Sequence, residues 1–210
     1  MNVKLTMKII TYIIGLFILI ISCQNLNSDK LIDKGETIDG VYRNDDLKWK
    51  INIPEEWIII DNDEDDNLEK KALKSIEETA DRKFDVSAVV DLIGFKKDDF
   101  NSFLSTAEPY GFNSESEFIE NNSIVKRTLY QTYLNKNIAL DSTKTKKITI
   151  NGVVFETYKF SVYDNFGSYL IHQEIFCGVV NGSYLFVNVN YNTDKNKNII
   201  MNSWLNSLFE

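Results

Sequence analysis

His172, the one histidine of the chain, stands two residues before Glu174 in the apolar stretch Ser168 to Val180, so an extended backbone puts imidazole and carboxylate on one face. An imidazole beside a carboxylate can move protons, and a hydrolase using His172 is the enzymatic reading that this pair allows. Hydrolysis also needs a nucleophile and a pocket, yet the chain has no Gly-x-Ser-x-Gly and no second histidine for a metal. A strand histidine at the sheet surface is therefore expected, with no catalytic residue. Cys177 shares a face with Ile171, Gln173, Ile175 and Val179 and reads as a small buried hydrophobe. Asp61, Asp63 and Asp65 alternate like the first ligands of a calcium loop. Asp66 fills the glycine position of such a loop and Ala72 its glutamate position, so a solvated, helix-capping turn is expected and no metal. Cys23 is different, because its thiol follows directly on a long apolar run.

That run, Ile9 to Ile21, is preceded by Lys4 and Lys8, the charge and greasy-core pattern of a secretory signal. It is too short for a bilayer-spanning helix, which needs about 20 apolar residues. Ile20-Ile21-Ser22-Cys23 resembles the bacterial lipobox, in which cleavage before the cysteine follows transfer of a diacylglycerol to its thiol. The resemblance implies a signal peptide over 1–22, lipidation at Cys23, and a bacterial cell envelope. Gln24 in place of the inner-membrane aspartate points to the outer membrane. Two or three acyl chains hold a protein on a bilayer far better than one.

The whole chain carries 23 Lys+Arg against 31 Asp+Glu, a net charge of −8. Residues 1–22 contain two lysines and no acid, so the balance of the remainder is −10. Such a surface repels anionic headgroups and phosphate backbones, which makes lipid the anchor and excludes nucleic acid as a partner. No glycine-rich phosphate loop is present and no cofactor is implied. Once Cys23 is acylated Cys177 has no cysteine to pair with.

Residues 23–39, polar and without period, are expected to form a lipidated, flexible tether, and 40–210 a single globular domain. Leu47, Trp49, Ile51 and Ile53 alternate with polar neighbours up to Pro54, as a half-buried strand does. Helical spacing of Leu68, Ala72, Leu73, Ile76 and Ala80 predicts a helix over 66–82, with Asp66 and Glu69 as its capping box. Val86 to Phe95 reads as a strand, and residues 98–110 as a short helix around Phe100, Phe103 and Leu104 before a loop at Pro109. Ser114 and Glu117 cap a further helix to Asn135 that buries Phe118, Val125, Leu129 and Tyr133.

Four strands follow: 146–150, 153–163, 168–180 and 183–191, turned at Asn151-Gly152, Asp164 to Gly167 and Asn181-Gly182. Ile200, Trp204 and Leu208 mark a C-terminal helix over 194–210. The fold class is α+β: an antiparallel sheet with a C-terminal four-strand meander and helices packed on its faces.

This order resembles the Mog1/PsbP-like α/β/α sandwich, shared by small lipoproteins of unknown function and photosystem accessory proteins. The likeness rests on Lys48 to Trp57, Ile150-Asn151-Gly152-Val153, the Asn181-Gly182 hairpin and Asn202-Ser203-Trp204. It implies protein binding and assembly rather than chemistry, and supplies no site residue.

The expected function is a non-enzymatic, lipid-anchored envelope protein that binds another, unidentified envelope protein. An immunity-type protein neutralising a basic toxin is the second reading. Phe166, Tyr169, Tyr184, Phe186 and Tyr191 gather aromatics on the meander; those left exposed would mark a binding surface.

Overall fold

The computed structural model describes residues 32–60, 62–164 and 166–210, with residues 62–70 described as backbone only. Cys23 and the signal segment lie outside the described residues. Among the described residues twelve strands and three helices follow one another from β1 (Glu36–Ile38) to β12 (Leu208–Phe209).

The meander is the spine of the domain. β8 (Lys146–Ile150), β9 (Val153–Tyr163), β10 (Tyr169–Val180) and β11 (Ser183–Tyr191) pair consecutively and antiparallel, as their turn residues predict. Asn151-Gly152 and Asn181-Gly182 both take left-handed conformations, with φ of 44° and 83°, and 46° and 79°. Two adjacent positive φ values are what a tight hairpin matching the strand twist requires. β11 then pairs with β6 (Asn101–Pro109), β6 with β5 (Val90–Asp98), and β5 with β4 (Ile58–Ile59), while β7 (Leu140–Ser142) closes the other edge on β9.

Residues 101–109 are thus a central strand, where the sequence suggested a short helix and a loop. β6 is buried along most of its length and its two faces hardly differ in polarity, so it carries no legible period two. The strand expected from Val86 begins at Val90.

A second, four-stranded sheet runs in the order β1, β2 (Val41–Asn44), β3 (Trp49–Asn52) and β12. Its presence corrects two expectations. Ordered chain reaches back before residue 40, since β1 pairs with β2 and Ile32 is buried. The C-terminal helix, α3 (Asp194–Leu205), stops at Asn206, and Leu208 belongs to β12, paired with Lys50 of β3. Lys50 Nζ also meets Glu210 Oε2 at 2.6 Å.

Period two sorts the large sheet into two cores. Phe155, Phe176, Leu185, Val187, Val189, Phe95 and Phe103 face the small sheet and α3, where they meet Tyr42, Trp49, Ile51, Ile200 and Trp204. The opposite face carries Tyr158, Phe160, Ile175, Cys177, Tyr184 and Phe186 under α1 (Asn62–Ala80) and α2 (Glu115–Asn135). Ser114 caps α2 by accepting from Glu117 N, and Phe118, Val125, Leu129 and Tyr133 are its buried stripe, as expected. α1 starts at Asn62 instead of Asp66, so Asp66 stands inside the helix and is not its cap. The chain leaves α1 through Asp81 at φ 52°, short of Arg82.

Gly178 marks a close approach in the first core. A Cβ there would lie 2.5 Å from the Phe155 ring. Gly178→Ala is expected to cost about 1–3 kcal/mol by overpacking, measured by urea unfolding against the parent chain. A neutral outcome would show that the Phe155 ring can move aside.

Candidate functional site

His172 lies on β10 opposite Ser161 of β9 and Tyr191 of β11, with Glu174 on the same face. Its Nδ1 is 3.0 Å from Ser161 Oγ. Glu174 instead accepts from Tyr191 OH at 3.4 Å, so acid and imidazole share a face without sharing a hydrogen bond. Burial, and then Lys159 and Lys197, hold the imidazole below its ordinary pKa and favour its neutral form. Ser161 sits mid-strand, paired with both His172 and Asp141, so its own backbone groups are turned to neighbouring strands. Its single backbone N–H therefore belongs to the sheet and is not an oxyanion donor.

What this face does present is a row of rings. Tyr163 and Tyr169 oppose each other across the β9–β10 turn with centroids 4.8 Å apart. Tyr169 lies 5.0 Å from His172, and His172 5.3 Å from Tyr191, over which Lys197 Nζ stands at 5.5 Å. Phe166 at the turn is 94% exposed and Tyr169 65%, while Tyr184, Phe186 and Tyr191 are buried.

The turn holding Phe166 is built tightly. Asp164 Oδ1 accepts from Phe166 N at 2.8 Å and Ser168 N at 2.9 Å, and Gly167 takes φ 82°. A side-chain oxygen that satisfies two backbone donors fixes the loop without covering it, so the phenyl ring stays outside. Tyr163 is anchored by its hydroxyl, which donates to Asp141 Oδ2 at 2.5 Å.

The first described residues lie at the other end of the same sheet. Asp33 N donates to Asp46 Oδ2 at 2.8 Å, and Asn181 Nδ2, in the β10–β11 turn, donates to Asp46 O at 2.6 Å. β10 spans 12 residues between the two turns. At about 3.3 Å per residue the aromatic tip stands roughly 36 Å from where residue 33 enters the fold.

Cys177 is buried, between Glu156 and Phe186 in the ladder, and burial pushes its thiol up to about 12. That is the inert hydrophobe the sequence suggested. Asp61 lies outside the described residues, and Asp63 and Asp65 fall on the backbone of α1. Among the described residues no group of three metal-ligating side chains occurs, and no helix is long and apolar enough to cross a membrane. Tyr163, Ser161 and Lys197 were not singled out from sequence. Tyr163 was within reach, because a turn at Asp164 to Gly167 sets it opposite Tyr169.

Of the solved structures, 17 chains match. Among them the solution structure of cyanobacterial PsbP (CyanoP) from Synechocystis sp. PCC 6803 matches over 90% of this chain and 98% of its own, with TM-score 0.55 and 9% identity. The fold is PsbP-like. No protein-family model and no curated protein matches the sequence. At this identity the likeness fixes the architecture of the PsbP-like domain and leaves its partners to the site itself.

Proposed function

We propose that this chain is a lipid-anchored protein of the bacterial cell envelope, in the outer membrane, whose PsbP-like domain binds another envelope protein and catalyses no reaction. The observation that carries the reading is the exposure of Phe166 and Tyr169 beside the β9–β10 turn, at the end of the sheet opposite the Asn181 turn that Asp46 and residue 33 adjoin. A lipid on Cys23 would hold the entry end near the bilayer and point the aromatic tip away from it. Exposed aromatics supply large contact area at little cost in side-chain entropy. The mid-strand setting of Ser161, and a Glu174 that is bonded to Tyr191 and not to His172, support the non-enzymatic side of the proposal.

Crosslinking in the native membrane, followed by capture and mass spectrometry, tests the binding role. A discrete complex is expected for the parent chain and its loss for the Phe166→Ser, Tyr169→Ser double variant. Both side chains are exposed, so unfolding free energy should change by less than about 1 kcal/mol. A complex that survives the double substitution, or none with any crosslinker, would overturn the reading.

A further inference from the structure

Between the two sheets, at the edge formed by β1 and β4, lies a groove of about 500 Å³. Residues 34–37 at the start of β1 line one side, and Ile59, Leu92 and Ile93 of β4 and β5 the other. Leu92 and Ile93 are buried members of the first core, so the floor of the groove is apolar. Both sheets end here: β1 pairs with β2 and β4 with β5, and among the described residues neither has a strand on its other side.

β4 carries little of what protects an edge. Ile58 and Ile59 are adjacent and 59% and 51% exposed, at a place where charge or proline would block further pairing. Ile60 N donates to Gly94 O at 2.9 Å. Bonded and non-bonded pairs alternate along an antiparallel ladder, so both backbone groups of Ile59, which stands opposite Phe95, turn away from β5. Among the described residues nothing pairs with them. An open N–H and C=O beside an apolar groove is a template for another strand.

The flanks of β4 are acidic. Glu55 and Glu56 precede it, both exposed, and residues 61–66 that follow hold five acids and no base. Lys96, opposite Ile58, and Lys34 in the groove offset part of this charge. A second copy pairing antiparallel on β4 would set residues 55 and 56 against the other copy's 61–66, acid against acid.

We infer that β4 and its groove take an extended, basic segment of another protein as an added strand. The residue opposite Ile59 shares its face and points its own N–H at Ile59 O. Alternate apolar side chains of the segment therefore enter the groove over Leu92 and Ile93, and its basic residues meet the flanking acids. This groove is apart from the aromatic tip and does not rest on the role proposed there.

Fluorescence anisotropy on the purified full chain tests the assignment, with a labelled Lys-Val-Lys-Val-Lys-Val-Lys peptide as probe. N-methylation of its valine backbone, or glutamate in place of its lysines, should each weaken binding at least about tenfold. Ile59→Pro removes the outward N–H and no bond to β5, a setting in which an edge strand tolerates proline, and should weaken binding as much. The Phe166→Ser, Tyr169→Ser double variant should bind the probe as the parent does. Binding untouched by N-methylation or by Ile59→Pro, equal affinity for the glutamate peptide, loss in the tip variant, or no binding of the lysine peptide would overturn the inference.

Discussion

Trp204→Ala is expected to cost about 3–5 kcal/mol of stability, the range for deleting a fully buried large aromatic. Trp204 has no exposed surface and joins all the elements of the first core. Its ring centroid lies 6.1 Å from Trp49 in the small sheet, 5.2 Å from Phe155, 5.6 Å from Phe176 and 5.8 Å from Phe103 in the large one, and 6.3 Å from Phe209 in β12. Truncation removes the dispersion contacts of five rings at once and leaves a void that no neighbouring backbone can close. The loss should be seen in denaturant unfolding as a lower midpoint with the slope retained. A cost under about 1 kcal/mol would mean that α3 is not what fastens the two sheets together.

Why Trp204 was legible in the sequence, and β6 was not, has a single physical reason. Ile200 and Trp204 recur at helical spacing against polar neighbours, and that contrast announces a face. In β6 the row facing the helices is Ser102, Leu104, Thr106 and Glu108, and the row facing the small sheet holds Phe103, Ser105 and Ala107. Both rows are mostly buried and both are mixed in polarity, so no alternation survives. The meander was readable because Asn-Gly pairs fix tight turns locally. The four-stranded sheet was not, since β12 is two residues long and exists only where β3 offers it a ladder. For the candidate sites the division is similar. Phe166 and Tyr169 stand out as aromatics beside a turn, whereas the outward backbone of Ile59 is set by the distant Gly94, which accepts from Ile60 N.

Glu108 gives the second large effect. It is 3% exposed, opposite Tyr184 in the ladder, and its Oε1 has no hydrogen-bond partner. Burial pushes its carboxyl from an ordinary 4.5 up to about 8, so the folded chain holds a proton that the unfolded chain releases. A raised folded-state value means that stability is full below pH 4.5 and falls as pH rises toward about 8. The total is on the order of 3–5 kcal/mol by linkage. Glu108→Gln keeps the shape of the protonated acid and removes its titration. It should match the parent near pH 5 and exceed it by about 2–4 kcal/mol at pH 9. His172 titrates with the opposite sign, its folded-state value being lowered, but it is common to both chains and cancels in the difference. Parallel stability curves for parent and variant across this range would refute the assignment of a buried neutral acid at this position.

The binding role, the envelope location and the outward-facing tip all depend on one modification. The most direct measurement is the intact mass of the protein extracted from its native membrane, with Cys23→Ser as the comparison. The expected result is a chain beginning at Cys23 that carries a diacylglycerol, with or without a further acyl group, and a Cys23→Ser protein without the lipid mass. A native protein that keeps residues 1–22, or one cleaved there with an unmodified thiol, would contradict tethered presentation of this domain.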